Sequence, residues 1–534
     1  MIVAKDLFRE EAFIKTLAKQ LLWIEPFLLL ALVYFFWYPS SFPASSNGIQ
    51  RAEWLWLVEA AIPLLILYWI ARGDIHIVSL RQSSGWLIVP LAGLLLLWNI
   101  LYPIYSAQLS TDIDRADYIS LLALLLPVLL LRFLAYRRLW TITPLDGFLL
   151  IFVLLCLLNV KYAPYEARGW RMIARPLLGI ALVIHFGESA RVNRRIDGLL
   201  WILIALAGLV GWVALSATHW TSKSGDFNAL IDRLPHLNFF FAPGGFNPNE
   251  IAGAIAWLTP LMAGLIFYRP PFCPNIVWRG KSINYRLWVW RGATGGAFLL
   301  LLLALLLGQS RAAIIGVLVA LLGIALYISQ TEHWRWRYLL PLGVILLAIA
   351  QMAYLFGLFP QFHTSPSAPT ETAATGLSAR DERTLDQRFA IWESAGAMVR
   401  DHPWTGVGLS CFRLGTVRHD YPVSGYENVF TPQYVLPHAH NELIQIATDL
   451  GLPGLGVFIG WNAAAVYMLW VSWQRSNPAA RIVAVATAGG LLAHFAYGMA
   501  DAIPLWDRFS FIYWLLLGLA AAQYTLVQKV CRNC

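Results

Sequence analysis

Charged residues are scarce in this sequence. Asp, Glu, Lys and Arg make up only 13% of its 534 residues, whereas apolar residues make up 58%. The apolar residues come in blocks of about 20, which is the length that a helix needs to cross hydrocarbon. A soluble core is not organised in such blocks, so the composition argues against a soluble globular protein. It predicts an all-α polytopic membrane protein instead.

Cysteine is also rare, and the signatures of nucleotide chemistry are missing. The chain has five cysteines, of which only Cys411 is expected on the outer side, so no disulfide framework is available. There is no Gly-rich phosphate loop, which argues against a soluble nucleotide-sugar enzyme. There is no basic stripe interleaved with stacking aromatics either, so no nucleic-acid partner is expected.

The apolar blocks predict about 12 to 14 transmembrane helices. The candidate spans are 22–38, 55–71, 86–102, 118–136, 145–159, 172–187, 196–217, 250–268, 288–307, 310–329, 337–356, 454–473, 481–499 and 507–528. They divide the chain into three parts. Residues 1–356 carry the first helices with short loops, 357–453 form one large extracytoplasmic loop, and 454–534 hold the last three helices and a tail.

Lysine and arginine are concentrated in alternate connections, such as those around Arg194 and Arg481. By the positive-inside rule these connections are cytoplasmic, and so are both termini. The net charge of +9 follows from this bias. The long loop 357–453 is therefore expected on the outer face of the membrane.

The outer loop contains one predicted helix and one histidine motif. A Ser/Thr/Pro/Ala stretch at 364–379 predicts a mobile segment, and apolar residues at helical spacing predict a helix over 384–401. The run 437–445 then leaves the loop, opens a short helix and meets a Gly-Leu-Pro-Gly turn at 451–454, at the mouth of a span. A titratable imidazole at the edge of a bilayer indicates a site of chemistry.

Several arginines on the outer side oppose the positive-inside trend, namely Arg168, Arg171, Arg175, Arg311 and Arg388. Guanidinium groups at the outer surface are costly unless they are paired, and their planar forks suit phosphate oxygens. Alternatively, they snorkel to lipid headgroups or pair with carboxylates such as Glu166 and Asp386. For each arginine taken singly, the sequence leaves both interpretations open.

Four motifs occur in an order that resembles O-antigen ligases and O-antigen polymerases, with O-linked oligosaccharyltransferases close to them. The motifs are Ser310-Arg311-Ala312, Arg388-x-x-x-Trp392, Thr405-Gly406-Val407-Gly408, and His440-Asn441-Glu442 followed by Gly451-x-x-Gly454. The resemblance covers about residues 245–500. Each motif alone is weak, whereas the ordered set is specific.

The resemblance implies a GT-C-like membrane glycosyltransferase at the outer face of the bacterial inner membrane. Its donor would be a glycan on polyprenyl (undecaprenyl) pyrophosphate, and its acceptor a hydroxyl of a lipid-linked saccharide such as lipid A core. A polymerase or an O-linked oligosaccharyltransferase is the alternative within the family. Membrane lipids are the other expected partners. The reaction would invert the anomeric centre and need neither a metal nor another cofactor.

The same resemblance assigns roles to particular residues. His440 would accept the proton of the attacking hydroxyl, and Arg311 and Arg388 would stabilise the departing pyrophosphate. Substrate-binding roles are expected for His438, Asn441, Glu442, Trp392, Arg168, Arg171 and Arg175. On a regular helix His438 would not share a face with His440, so a structural or acceptor-binding role is expected for it. Asn441 and Glu442 are expected to orient His440 or to cap the helix.

Three other interpretations remain open at this stage. Glu442 and the two histidines have the side chains of a metal site. Asp112-x-Asp114 resembles the acidic pair that holds a divalent ion in other membrane glycosyltransferases. Outside enzymes, prolines within the spans and arginines on the outer side also suit a transporter.

Overall fold

A computed structural model describes the chain over residues 141–162, 164, 169–220, 231, 233–234, 245–270, 276–278, 281–283, 285–331, 343, 373–432, 436–507 and 509–532. The candidate spans before residue 141 lie outside these residues, as do Asp112, Asp114 and Arg168. Most of the candidate span 337–356 lies outside them as well. The backbone of Arg171 and Arg175 is described, whereas their side chains are not.

The described residues are helical apart from turns, loops and one short hairpin. The helices are α1 (Asp146–Tyr162), α2 (Gly169–Asn193), α3 (Asp197–Ala217), α4 (Pro248–Leu265), α5 (Tyr285–Gly308), α6 (Arg311–Thr331), α7 (Ala373–Asp401), α8 (Gly415–Asp420), α9 (Glu442–Arg475), α10 (Pro478–Gly498) and α11 (Phe511–Arg532). A 3-10 turn, Cys411–Arg413, precedes α8. Between α4 and α5, strands β1 (Ile276–Trp278) and β2 (Lys281–Ile283) pair antiparallel, which the sequence pattern did not predict.

Six of these helices are long and apolar enough to cross a membrane: α3, α5, α6, α9, α10 and α11. Helix α1 is apolar but shorter. The prediction of an all-α polytopic membrane protein is thereby confirmed. The predicted total of 12 to 14 spans includes segments outside the described residues and stays a prediction.

Aromatic side chains join the membrane helices at their centre. Phe152 of α1 lies edge-on to Trp461 of α9, with ring centroids 5.0 Å apart. The Trp461 indole donates to the Tyr513 hydroxyl of α11 at 2.7 Å, and that hydroxyl donates to Asn462 at 2.9 Å. Because Trp461 and Tyr513 are buried between apolar helices, their polar groups need partners inside the protein. These pairs hold α9, which begins at the histidine motif, against α1 and α11.

The loop module folds around a small hydrophobic core of its own, which includes Ile391, Met398 and Phe412. Its long helix α7 begins at Ala373, not at 384, so the predicted mobile stretch is helical from residue 373 onward. Residues 373–383 include three alanines, two arginines, one leucine and one glutamate, all of which have high helix propensity. Helix formation there therefore needs no apolar periodicity, the signal on which the prediction rested.

Candidate active site

Two histidines and one aspartate meet where the loop module joins the membrane helices. Nδ1 of His440 lies 3.0 Å from Oδ1 of Asp501, and Nδ1 of His438 lies 3.6 Å from the same oxygen. The two imidazole rings are edge to face with centroids 4.5 Å apart. Asp501 follows the end of α10, so the cluster joins the histidine motif to the α10–α11 loop.

The two histidines precede helix α9, and its N-cap fixes their position. Asn441 is that cap: its side-chain oxygen accepts from the Ile444 amide at 3.1 Å, and its amide group donates to the Met499 carbonyl at 3.1 Å. The expectation that His438 and His440 face different ways assumed a regular helix, and this premise was wrong. In the non-helical segment before the cap, both rings lie close to Asp501.

His440 adopts a left-handed backbone conformation, with φ of 50°. This conformation costs a non-glycine residue of order 1–3 kcal/mol and persists only where the surroundings enforce it. Here the His440 amide donates to Nδ1 of His438 at 3.2 Å, and the Ala439 amide donates to the buried side chain of Gln445 at 2.8 Å. Both contacts tighten the turn that holds the His440 ring against Asp501.

The charges within the cluster differ between its members. Burial raises the pKa of Asp501, but the hydrogen bond with His440 and the charges of both histidines outweigh it, so the pKa lies below its usual range. Burial lowers the pKa of His438 to about 4; Asp501 opposes this shift, and the charges of His440, Arg413 and Arg388 add to it. At neutral pH the cluster therefore holds an ionised Asp501 and a neutral His438.

The hydrogen bonds assign a tautomer to each ring. Because Asp501 is ionised, it accepts a proton from Nδ1 of His440, which leaves the lone pair on Nε2. Nδ1 of His438 accepts from a backbone amide, so its proton is on Nε2. His440 is thus arranged as a base whose carboxylate partner stabilises the imidazolium that forms on proton uptake.

Helix α7 carries Arg388 to the histidine segment. Trp392, one turn further along the same face, donates from its indole nitrogen to the Ala439 carbonyl at 2.9 Å. Arg388 is half-buried, and its positive charge contributes to the lowered pKa of His438. In the structure, Trp392 therefore links the helix that carries Arg388 to the backbone between the two histidines.

Arg311 begins α6 and is half-buried. The turn before it packs against Pro248 and Ala252 at the start of α4. That end of α4 also meets the end of α10, because the Tyr497 hydroxyl donates to the Asn249 carbonyl at 3.2 Å. Arg311 therefore lies at the same end of the helical bundle as Asp501.

The carboxylate of Glu442 points away from the two histidines. One of its oxygens accepts from the Ile503 amide at 3.1 Å, within the α10–α11 loop. The donor atoms of His438, His440 and Asp501, in contrast, lie within 4.8 Å of one another, a spacing at which a metal ion could be held. If the histidines bind a metal, Asp501 and not Glu442 is the third ligand that this geometry offers.

Residues 296–459 match the family model described as O-antigen ligase. Over these residues the chain is similar to the O-antigen ligase family. The recognition made from the ordered motifs is thereby confirmed, and the matched region contains Arg311, Arg388, His438 and His440. Asp501 lies beyond it. No curated protein matches the chain.

The Thr405-Gly406-Val407-Gly408 motif, which lies within the matched residues, packs against a kink in α9. The kink lies at Gly451, whose φ of 70° no other residue adopts without strain. On either side of it, the Val407 amide donates to Thr448 at 2.8 Å and the Leu452 amide donates to Pro403 at 2.8 Å. A side chain on Gly406 would lie 2.4 Å from the Thr448 carbonyl oxygen. The motif at residues 405–408 and the motif at residues 451–454 therefore pack against each other.

A membrane-helix asparagine completes that contact. Asn159 of α1 is buried, and its amide group donates to the carbonyls of Thr405 at 2.7 Å and Asp449 at 2.9 Å. Its oxygen accepts from the Leu409 amide at 3.0 Å. One side chain thus ties the loop module and the α9 kink to α1, which is outside the region that matches the family.

Sequence reasoning missed Asp501 and Asn159. Asp501 stands in a short connection between two predicted spans, 481–499 and 507–528, on the outer side of the predicted topology. A search among the carboxylates on the predicted outer side for a partner of His440 would have identified Asp501 as a candidate. Asn159 ends a candidate span, where a polar residue is ordinary, so no sequence pattern indicates its contacts.

Proposed function

We propose that the protein is an O-antigen ligase-like glycosyltransferase. It moves a glycan from polyprenyl pyrophosphate to a hydroxyl of a lipid-linked saccharide, such as lipid A core. The observation that carries the proposal is the hydrogen bond between His440 and the ionised Asp501. It prepares an imidazole base at the end of the helical bundle where Arg311 begins α6, and α7 brings Arg388 toward the same segment.

In the proposed reaction, Nε2 of His440 removes the proton from the acceptor hydroxyl. The hydroxyl oxygen attacks the anomeric carbon of the donor as the bond from that carbon to the pyrophosphate oxygen breaks. The products are the glycosylated acceptor, with inverted configuration, and polyprenyl pyrophosphate. General base catalysis of this kind contributes roughly 10²- to 10⁴-fold to the rate.

Arg388 and Arg311 stabilise the negative charge that develops on the pyrophosphate. The glycosyl phosphate ester bond that breaks supplies the driving force, so the proposal includes no nucleotide, metal or other cofactor. Asp501 keeps His440 in the reactive tautomer and offsets its positive charge after proton transfer. His438 stays neutral and is placed to contact the acceptor through its Nε2 hydrogen.

The proposed location is the bacterial inner membrane, with the site on the outer face and both termini in the cytoplasm. Support comes from the charges at the opposite end of the bundle, where α2 is followed by Arg194 and Arg195 and where α9 and α10 meet between Arg475 and Arg481. Cytoplasmic connections carry such excess positive charge.

The test is product analysis with the purified full chain in nanodiscs. A defined polyprenyl-pyrophosphate glycan is supplied with a lipid A-core acceptor, and without it. A ligase adds one glycan to the core and makes nothing from the donor alone. A ladder from donor alone identifies a polymerase, and transfer to an added acceptor protein identifies an oligosaccharyltransferase. No product and no donor consumption in any reaction would contradict the glycosyltransferase proposal.

A further inference from the structure

The side chains of His438, His440 and Asp501 offer ligand atoms at the spacing of a tetrahedral metal site. Nδ1 of His440 and Nδ1 of His438 lie 3.0 Å and 3.6 Å from Oδ1 of Asp501, and the three residues have ligand atoms within 4.8 Å of one another. Zinc binds imidazole nitrogen and carboxylate oxygen at about 2.0–2.2 Å, which places neighbouring tetrahedral ligands about 3.4 Å apart. The two measured distances lie on either side of that value, so small movements of the rings suffice to seat a zinc ion.

These side chains are held in place and are open to solvent on one side. Oδ1 of Asp501 accepts from the Ala502 amide at 2.9 Å, which fixes the carboxylate, and the N-cap at Asn441 fixes the backbone after the two histidines. The side chains of His438 and His440 are 18% and 26% exposed, and that of Asp501 is 10% exposed. Outer contacts of this kind orient metal ligands in advance, so an ion from solution would find them already assembled.

The ligand set selects among divalent ions. Magnesium and calcium bind oxygen ligands, whereas two imidazoles and one carboxylate suit transition metals. Along the first row, affinity for such sites rises from manganese and iron toward copper and zinc. Zinc also needs only three protein ligands, because water takes its fourth position, and it has no redox chemistry. It is therefore the ion that the cluster favours and the one to use as a probe.

Zinc bound at this position changes the tautomer of His440. In the structure, Nδ1 of His440 donates to Asp501 and the lone pair is on Nε2. Nδ1 binds zinc through a lone pair, which it has only when the ring proton is on Nε2. The proton moves from one ring nitrogen to the other, so none is exchanged with solvent overall. His438 gives up only the 3.2 Å hydrogen bond from the His440 amide.

We infer that His438, His440 and Asp501 form an inhibitory zinc site, in which the ion removes the base that the reaction needs. Once Nε2 of His440 carries the proton, it donates hydrogen bonds and no longer accepts a proton from the acceptor hydroxyl. Zinc also takes the carboxylate of Asp501 that stabilises the imidazolium. The zinc site follows from the geometry of the cluster, whereas its effect on glycan transfer rests on the proposed function.

Zinc affinity is measured without turnover, by competition with a chromophoric zinc chelator. The sample is the purified full chain in nanodiscs, and empty nanodiscs are the blank. Wild type should bind zinc in the presence of about a hundredfold excess of magnesium. His438→Ala removes one ligand and should weaken binding by at least about tenfold. The matched control is His419→Ala, which removes an exposed imidazole that lies 3.1 Å from Asp420, and it should bind zinc as wild type does.

The state of Nε2 is read with diethyl pyrocarbonate, which modifies the imidazole nitrogen that carries a lone pair. Saturating zinc should protect His440 from modification, whereas the exposed His419 in the same digest stays reactive. His438→Ala should need at least about tenfold more zinc for the same protection of His440. Equal modification of His440 with and without zinc would overturn the inference, and so would wild-type zinc affinity in His438→Ala.

Glycan transfer gives the last measurement. Transfer should fall over the same zinc concentrations that protect His440, and a chelator should restore it. Transfer that continues at saturating zinc would overturn the inhibitory role. The outcomes are distinct from those of the proposed function. Transfer without zinc binding at the cluster removes this inference alone, whereas zinc-dependent protection of His440 in a protein that transfers no glycan removes the proposed function alone.

Discussion

Oδ1 of Asp501 lies 3.0 Å from Nδ1 of His440, although the two residues are 61 positions apart in the sequence and two complete helices, α9 and α10, lie between them. The contact joins the segment before α9 to the loop after α10. The contact prepares His440 for proton transfer, because an ionised carboxylate sets its tautomer and stabilises its protonated form. Both the proposed base and its partner thus sit on backbone that the helix ends hold in place.

The Asp501 contact predicts a specific kinetic defect. Asp501→Asn keeps the size of the side chain but removes the charge that stabilises the His440 imidazolium. We expect kcat to fall by roughly 10²-fold or more, with donor affinity little changed. Steady-state transfer kinetics check this. Asp507→Asn, in the same loop, is the control: Asp507 accepts from the Phe509 amide at 2.8 Å, and asparagine can accept there too. Equal rates in wild type and Asp501→Asn would contradict the role given to Asp501.

Chelation separates a base from a metal ligand at the same residues. His438, His440 and Asp501 have the spacing of a metal site, whereas the proposed mechanism uses His440 as a free base. We expect full activity after exhaustive treatment with a chelator and removal of the metal-chelator complex. Loss of activity that added zinc, manganese or magnesium restores would show that the cluster works as a metal centre. If chelation also removes the remaining activity of Asp501→Asn, and magnesium or manganese restores it, the metal is held elsewhere. Asp112 and Asp114 would then be favoured as its ligands.

Arginine-to-lysine changes separate phosphate binding from contact with lipid headgroups. Lysine keeps the charge but loses the two-pronged hydrogen bond, whereas a side chain that only snorkels tolerates the change. Arg388→Lys and Arg311→Lys should each reduce turnover or donor binding strongly, with little change in thermal stability. Arg168→Lys should be close to neutral unless the cluster of Arg168, Arg171 and Arg175 also touches the donor. Normal donor affinity and rate in both Arg388→Lys and Arg311→Lys would make these residues membrane anchors.

His438 predicts how stability depends on pH. Its folded-state pKa of about 4 lies below the ordinary value of 6.5, so between these values the unfolded chain binds more protons. Stability should therefore fall as pH decreases from about 6.5 to 4, by up to about 3 kcal/mol. His438→Asn keeps an acceptor for the His440 amide and should flatten this part of the profile. Thermal unfolding in detergent at several pH values measures this dependence. If stability falls equally steeply with pH in wild type and His438→Asn, His438 is not buried and neutral as described.

The membrane character and the family were predictable because they depend on local patterns. Blocks of apolar residues identify spans without any knowledge of neighbours. Arg388, Thr405-Gly406-Val407-Gly408 and His440 were recognised as motifs, but the reason for the glycine motif appeared only in the structure. There, Gly406 approaches the Thr448 carbonyl beside the kink at Gly451. A contact between distant backbone segments leaves no periodic signal in either one.

The partners of the motif residues were not predictable from the sequence for the same reason. Asn159 meets Thr405 and Leu409 across 246 and 250 residues, and Asp501 meets His440 across 61. The premise that His438 and His440 lie on one regular helix was wrong for a local reason, because helix α9 starts at Glu442 and not before the histidines. The N-cap at Asn441 marks that start, and asparagine is a strong N-cap residue, so a stricter reading of capping would have placed both histidines outside the helix.

The most direct test of the account is the single-turnover rate of His440→Ala on a defined polyprenyl-pyrophosphate glycan and acceptor. The account predicts that the purified variant is folded, binds the donor with nearly wild-type affinity, and has lost transfer by at least roughly 10²-fold. His438→Ala, measured in parallel, should lose less. Transfer by His440→Ala at close to the wild-type rate would contradict the central claim that His440, held by Asp501, is the base of the reaction.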